Sequence, residues 1–160
     1  DVNLRDVEGR SALLLSKAKD NNASSSIGPL IRLFDETFDL TCVRNAELKL
    51  RVEGEDGFIL NGSSSMREIS RDPVDLVKQT IGDHHQYPDG FMLYLGTLFA
   101  PTKDRDEVGG GFTHKINDKV TISCDDLGVL TNQVKYSTEC QKWEFGISQL
   151  MRNLSERQLL

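Results

Sequence analysis

An α+β domain, rich in strands and carrying about two helices, is what this sequence predicts. Three observations predict it: alternating runs that flank turn signals, an amphipathic stretch opened by Asp72-Pro73, and apolar residues at helical spacing in the tail. The hairpin signal is the strongest. Leu48-Lys49-Leu50-Arg51-Val52 alternates apolar and polar, Phe58-Ile59-Leu60 follows, and Asp56-Gly57 stands between them. Glu53-Gly54-Glu55 falls at the hairpin tip, so it reads as a solvated turn rather than a pair of metal carboxylates. Asp72 is placed to cap a helix over 72–81, with Pro73 at its first position and Val74, Val77 and Ile81 as its stripe. Gly82 supplies the stop. Val120 to Ser123 and Val129 to Tyr136 form a second strand pair around Leu127-Gly128. Ile147, Leu150, Met151 and Leu154 predict a terminal helix. Ile27 to Phe34, headed by Gly28-Pro29, and Phe91 to Leu95, entered through Pro88-Asp89-Gly90, read as two more strands. Residues 1–160 read as one domain, without repeats or low-complexity tracts.

Composition narrows the function classes. The 160 residues are 38% hydrophobic and 28% charged, an ordinary globular balance. A formal charge of −6 gives no field for nucleic acid or an anionic membrane surface. No apolar run reaches the length of a membrane span, and no signal peptide opens the chain. Cys42, Cys124 and Cys140 are odd in number and lack CxxC spacing, which fits thiols in a reducing cytoplasm. The chain opens without Met on the dense polar motif Asp1-Val2-Asn3-Leu4-Arg5-Asp6, and so reads as part of a longer protein.

Single motifs decide little. His84-His85 is adjacent, so two rings on a helix would not converge on one ion. Ser24-Ser25-Ser26 and Ser63-Ser64-Ser65 lack a nucleophile-elbow pattern and read as loop or strand-edge hydroxyls. Gly109-Gly110-Gly111 lacks a following Lys-Ser or Lys-Thr, and so reads as a flexible loop rather than a phosphate cradle.

The ordered combination says more. Asp1-x-x-x-Arg5-Asp6 comes first, then Lys19 ahead of a Ser-rich loop ending in Ile27-Gly28-Pro29, then Pro88-Asp89-Gly90 leading to Gly96-Thr97. That order, from Asp1 to about Val134, resembles the fumarylacetoacetate hydrolase superfamily. Arg5-Asp6-Val7-Glu8-Gly9, Lys17-Ala18-Lys19 and Gly96-Thr97-Leu98-Phe99-Ala100-Pro101 look most like its 2-keto-3-deoxy-pentonate dehydratases. The resemblance implies a mixed, highly curved β-roll. It also implies magnesium-dependent dehydration of a 2-keto-3-deoxy sugar acid to 2,5-dioxopentanoate, in pentose catabolism.

Site roles follow from the resemblance and can be argued physically. Asp1 matches a magnesium-binding aspartate, and a hard oxygen ligand suits that ion, as it would manganese or calcium. Its bland reading is a plain carboxylate. Magnesium on the carboxylate and ketone oxygens would acidify the neighbouring carbon and stabilise an enolate. Lys19 matches the family's site lysine, as a base or as a partner of the enolate oxygen; otherwise it is a surface lysine like Lys17. Arg5 would orient a carboxylate or form a structural salt bridge. Glu8 stands where the family's hydrolases carry an amide, and a carboxyl there could deliver a proton to a departing hydroxyl. Gly96 lets backbone approach closely and the Thr97 hydroxyl could bond the substrate carboxylate. Asp1, Lys19 and Thr97 are expected on one cleft.

In the family, a Glu-x-Glu pair of metal ligands precedes the Asp1 motif, and that pair lies outside this sequence. The chain is therefore expected to be a C-terminal catalytic half that is inactive alone, with the N-terminal half of the same protein as its partner and a homo-oligomer as its assembly. The alternatives are an acylpyruvate-type carbon–carbon bond hydrolase of the same superfamily, or a non-catalytic binding module.

Overall fold

The computed structural model describes residues 1–28 and 30–160, with Arg5 described through its backbone. The chain forms two compact units, one of Asp1–Ile27 with Lys135–Leu160 and one of Gly28–Val134. The first holds the short helices α1 (Arg5–Glu8) and α2 (Leu15–Lys19), and α5 (Ile147–Glu156). The second holds α3 (Leu40–Arg44), α4 (Pro73–Thr80) and the strands β1 (Glu47–Glu53), β2 (Ile59–Ser65), β3 (Lys119–Cys124) and β4 (Gly128–Gln133). Among the described residues five α-helices thus stand where about two were expected, because short capped turns such as α3 carry no long apolar period. Asp39 makes that turn, its carboxylate accepting the Thr41 and Cys42 N–H groups at 2.7 and 3.1 Å.

The four strands form one sheet in the order β2-β1-β3-β4, every pairing antiparallel. A mixed sheet was expected, but both hairpins close through tight turns, which join antiparallel neighbours. The first hairpin turns where Asp56-Gly57 predicted. Gly54 N–H donates to Phe58 O at 2.9 Å, and Gly57 takes a φ of +79° that favours glycine. Val52 faces Leu60 on one side and Val120 on the other, giving the sheet an apolar row. Val52, Leu60 and Phe112 are buried together, with Leu50, Phe58, Phe99 and Val120 packed around them. Gly62 lies opposite Leu50, and the Phe99 ring occupies the space its side chain would take: a Cβ there would sit 2.3 Å from the ring. That contact anchors the segment carrying Thr97 to the edge strand β2.

The expected helix over 72–81 forms as α4 and ends with Ile81 already extended, one residue ahead of Gly82. Asp72 caps it through the Val74 N–H at 2.9 Å, while Arg44 grips the same carboxylate at 2.5 and 3.2 Å. The terminal helix forms as α5, Gln149 Oε1 accepting the Gly146 N–H at 3.2 Å. Two expected strands do not form. The described residues of 27–34 are irregular, and Pro29 lies outside them. Residues 91–95 are irregular too, with Met92, Leu93 and Tyr94 exposed. An apolar run becomes a strand only beside another that takes its backbone hydrogen bonds, and no strand pairs with either run among the described residues. The cysteines are free thiols, Cys124 buried at the end of β3.

A buried ion network ties the sheet's turns together. Arg105, 6% exposed, forks onto Asp118, 1% exposed, at 2.6 and 2.9 Å. The same guanidinium reaches Asp56 at 3.0 to 3.2 Å and lies 4.6 Å over the Phe58 ring. Asp118 also accepts the Lys115 N–H at 2.9 Å and contacts His114 Nδ1 at 3.2 Å. Lys115 Nζ bonds Asp56 at 3.0 Å and pairs with Asp106. Any side chain at Gly54 would collide, since a Cβ would lie 2.4 Å from both Arg105 Nη2 and Asp56 Oδ1. Burial pushes the Asp118 carboxyl up, but the bonds from Arg105, Lys115 and His114 together hold it below its ordinary value. The bonds from Arg105 and Lys115 hold Asp56 far below its own.

Both shifts depress the folded-state pKa, so their stabilisation is complete above the unfolded value of about 3.9 and is lost as pH falls through the folded values. Wild-type unfolding midpoints in urea should therefore drop steeply below about pH 4. Asp118→Asn should lower stability at pH 7 by on the order of 3 kcal/mol and flatten that acid limb; an unchanged acid limb would detach Asp118 from it. Gly62→Ala should displace Phe99 and lower stability by about 1–3 kcal/mol, read as a fall in thermal midpoint that Phe99→Leu in the same chain partly restores.

Candidate functional site

The first unit builds its site from backbone bonds between distant turns. Val2 N–H donates to Ser24 O at 2.8 Å and Leu4 N–H to Ala18 O at 3.0 Å, so residues 1–4 run alongside the end of α2. Ala18 is fully buried in that contact. Ser11 starts the turn before α2 by accepting the Leu13 N–H at 3.2 Å. Beyond Lys19 the chain turns through Ala23, at a φ of +57°, and Ser24 Oγ closes the turn onto Lys19 O and Asn21 O at 2.6 and 2.8 Å. This geometry brings Lys19 Nζ against Asp1 Oδ2 in an ion pair, with both side chains partly exposed.

Of the residues the sequence singled out, Asp1 and Lys19 are thus brought together. Glu8 is the last residue of α1, half-buried, its N–H donating to Leu4 O at 3.0 Å. The Arg5 side chain lies outside the described residues. Asp6, one position on, faces Arg10 at 3.8 Å in an exposed pair. Gly96 and Thr97 lie in the second unit, where Gly96 takes a φ of +80° and open space surrounds its missing Cβ. The Thr97 hydroxyl accepts the Phe99 N–H at 3.1 Å and lies 3.2 Å from Phe99 O. Leu98 N–H donates to Ser64 Oγ at 3.1 Å, so Ser64 acts as the strand-edge hydroxyl its motif suggested.

A magnesium ion finds too few donors here. Among the described residues, no three His, Cys, Asp or Glu side chains gather to hold a metal ion. Asp1 is one hard oxygen ligand, already paired with an ammonium, whereas magnesium prefers six oxygens in octahedral array. The residues present do not by themselves fit the ion.

The sequence missed the far wall of the Lys19 site. A groove of about 950 Å³ is lined on one side by Lys19 to Ser25 and on the other by Gln141 to Phe145. Asn22 Nδ2 holds the two walls, lying 3.4 Å from both Ser137 O and Gln141 O. The available signal was Trp143, the chain's one tryptophan, standing among polar residues. A second, smaller cavity of about 340 Å³, lined by Arg105, Asp106, Glu107, Gly110, Gly111 and Thr113, belongs to the ion network of the second unit. There the Gly109–Gly111 loop, expected to be flexible, is tied by Asp104, whose carboxylate accepts the Gly109 and Gly111 N–H groups at 2.8 and 2.9 Å. His84 and His85 sit in an exposed turn closed by Gly82 and His85.

No protein-family model and no curated protein matches the chain. Solved structures do. A hexagonal crystal form of 2-keto-3-deoxyarabinonate dehydratase matches with a TM-score of 0.70 and 27% identity, over 84% of this chain and 43% of the other. A 2-keto-3-deoxy-D-arabinonate dehydratase complexed with magnesium and 2,5-dioxopentanoate matches with a TM-score of 0.69 and 29% identity, over 84% and 44%. The chain spans less than half the length of these enzymes. Over most of its own length, in fold and in sequence, this chain is similar to 2-keto-3-deoxy-D-arabinonate dehydratases, members of the fumarylacetoacetate hydrolase superfamily.

Proposed function

We propose that this chain serves the dehydration of a 2-keto-3-deoxy sugar acid, with 2-keto-3-deoxy-D-arabinonate giving 2,5-dioxopentanoate as the leading case. One observation carries the reading. Asp1 and Lys19, matched to the superfamily's site on motif order, are placed in direct contact in a chain similar to a dehydratase that binds magnesium and that product.

The reaction removes one water. A base takes a proton from C3, beside the ketone; the C4–O bond breaks as its hydroxyl receives a proton. The resulting C3=C4 alkene then isomerises, C5 losing a proton as C3 gains one, to a C4=C5 enol, which takes a proton at C4 and gives up its O–H proton to become the C5 aldehyde. Elimination therefore needs both an acid and a base on one substrate. Glu8, half-buried at the end of α1, is the proton donor to the departing hydroxyl. Lys19 already contacts the Asp1 carboxylate, and that pairing favours its holding the negative oxygen that develops at C2 over its acting as the base. Thr97, released from Phe99, bonds the substrate carboxylate, with Gly96 giving it access. Arg5 orients a carboxylate. A divalent cation, magnesium above all, would take Asp1 as one ligand and needs further oxygens, which we assign to the preceding half of the same protein. We take the working form to be a homo-oligomer of the complete protein.

Turnover of the complete protein on 2-keto-3-deoxy-D-arabinonate against an acylpyruvate, with and without magnesium, tests the reading; cleavage of the acylpyruvate alone would replace it with a carbon–carbon bond hydrolase. Glu8→Gln keeps the shape of the side chain and removes its transferable proton. It should lower kcat by about 10²–10⁴-fold and leave KM within a few-fold. Exchange of the C3 hydrogens with solvent deuterium should persist in that variant, and its loss along with dehydration would make Glu8 the base. In the complete enzyme, Asp1→Ala should weaken magnesium binding by calorimetry, and unaltered affinity would remove Asp1 from the ligand set.

A further inference from the structure

We infer that the groove between Lys19–Ser25 and Gln141–Phe145 is a subsite for the hydroxylated tail of the substrate, with Trp143 as its platform. The inference rests on the function proposed above for its choice of substrate, and on the groove for its geometry. It assigns a specificity-determining role to the segment beyond Val134, which no motif reaches.

Three features of the groove point to a neutral polyol. Its formal charges balance, Lys19 and Lys142 against Asp20 and Glu144, so it offers no net attraction for the carboxylate end of a sugar acid. Its remaining polar lining is amides and hydroxyls, from Asn21, Asn22, Ser24, Ser25 and Gln141. Such groups donate and accept, as the alcohols of a polyol do. Its apolar part is aromatic: Trp143 is 82% exposed and Phe145 56%. A polyol is amphipathic in a matching sense, its C–H face apolar and its edge polar, so it can lay that face on an indole while its hydroxyls reach the opposite wall. The walls are coupled, because Asn22 contacts the Ser137 and Gln141 carbonyls from within the loop that Ser24 closes onto Lys19. The tail of the substrate would thus be read beside the lysine that the reaction uses.

Trp143 is the chain's one tryptophan, which makes it both the residue to change and the reporter. In the complete protein, fluorescence is titrated with 2-keto-3-deoxy-D-arabinonate and with 2-oxobutanoate, which lacks the hydroxylated tail. The Trp143 signal is the difference between wild type and Trp143→Phe. The sugar acid should change that signal saturably, and 2-oxobutanoate should not. Trp143→Ala should raise KM for the sugar acid about 10-fold with a smaller fall in kcat, and Trp143→Tyr should recover most of it. A normal KM in Trp143→Ala, or a signal unmoved by the sugar acid while dehydration proceeds, overturns the subsite. So does a Trp143 emission already blue-shifted and shielded from quencher, which would mean that another part of the protein covers it. A saturable Trp143 response in a protein that dehydrates nothing would overturn the proposed reaction and uphold the subsite.

Discussion

The buried fork of Arg105 on Asp118 is the interaction on which the second unit depends. It joins three segments: the turn between β1 and β2 through Asp56, the loop that carries Arg105, and the entry to β3 at Asp118. A guanidinium this deeply buried is tolerable only because its donors are met by two carboxylates and the Thr113 carbonyl at 3.3 Å. The constraint then propagates. Gly54 has to be glycine because the ion pair fills its side-chain space, and the guanidinium covers the Phe58 ring beside it. With the turn fixed, Val52 meets Leu60 and Val120, and the core closes around Phe112.

The first unit is organised differently. Its helices are too short to stand on helical propensity, and no hydrophobic cluster comparable to that of the sheet forms there among the described residues. What defines it is a set of backbone and hydroxyl bonds around one buried alanine, Ala18, which leave polar side chains at the surface. That is a suitable way to present charged chemistry. Asp1 and Lys19 meet at the edge of a groove rather than in a sealed interior, where desolvation would outweigh their attraction.

The helix α5 adds a stripe of Ile147, Leu150 and Met151 that stays exposed, although the sequence gives it a clear apolar face. Together with the exposed Leu30, Ile31, Leu33 and Phe34, it shows that this chain leaves unburied a good part of the apolar surface its periodicity sets aside.

The elements whose signals are local were legible in the sequence. Asp56-Gly57 between alternating runs specified the first hairpin, Leu127-Gly128 the second, Asp72-Pro73 the start of α4, and the spacing from Ile147 to Leu154 the helix α5. Each signal acts within a few residues, so it survives without knowledge of the rest. The likeness to the dehydratases was likewise legible, because the order and spacing of short motifs carry it, and the solved structures bear it out over 84% of the chain. Tertiary structure decided what depends on a partner far along the chain. Residues 91–95 had strand composition but no strand beside them among the described residues, so they stayed irregular. Arg105, one arginine among ordinary charged residues, became the keystone through carboxylates 49 and 13 positions away. Trp143 became a wall of the Lys19 groove through bonds from Asn22 across more than a hundred residues. A side chain's chemistry is written in its own letter, but its neighbours are set by the packing of the whole chain.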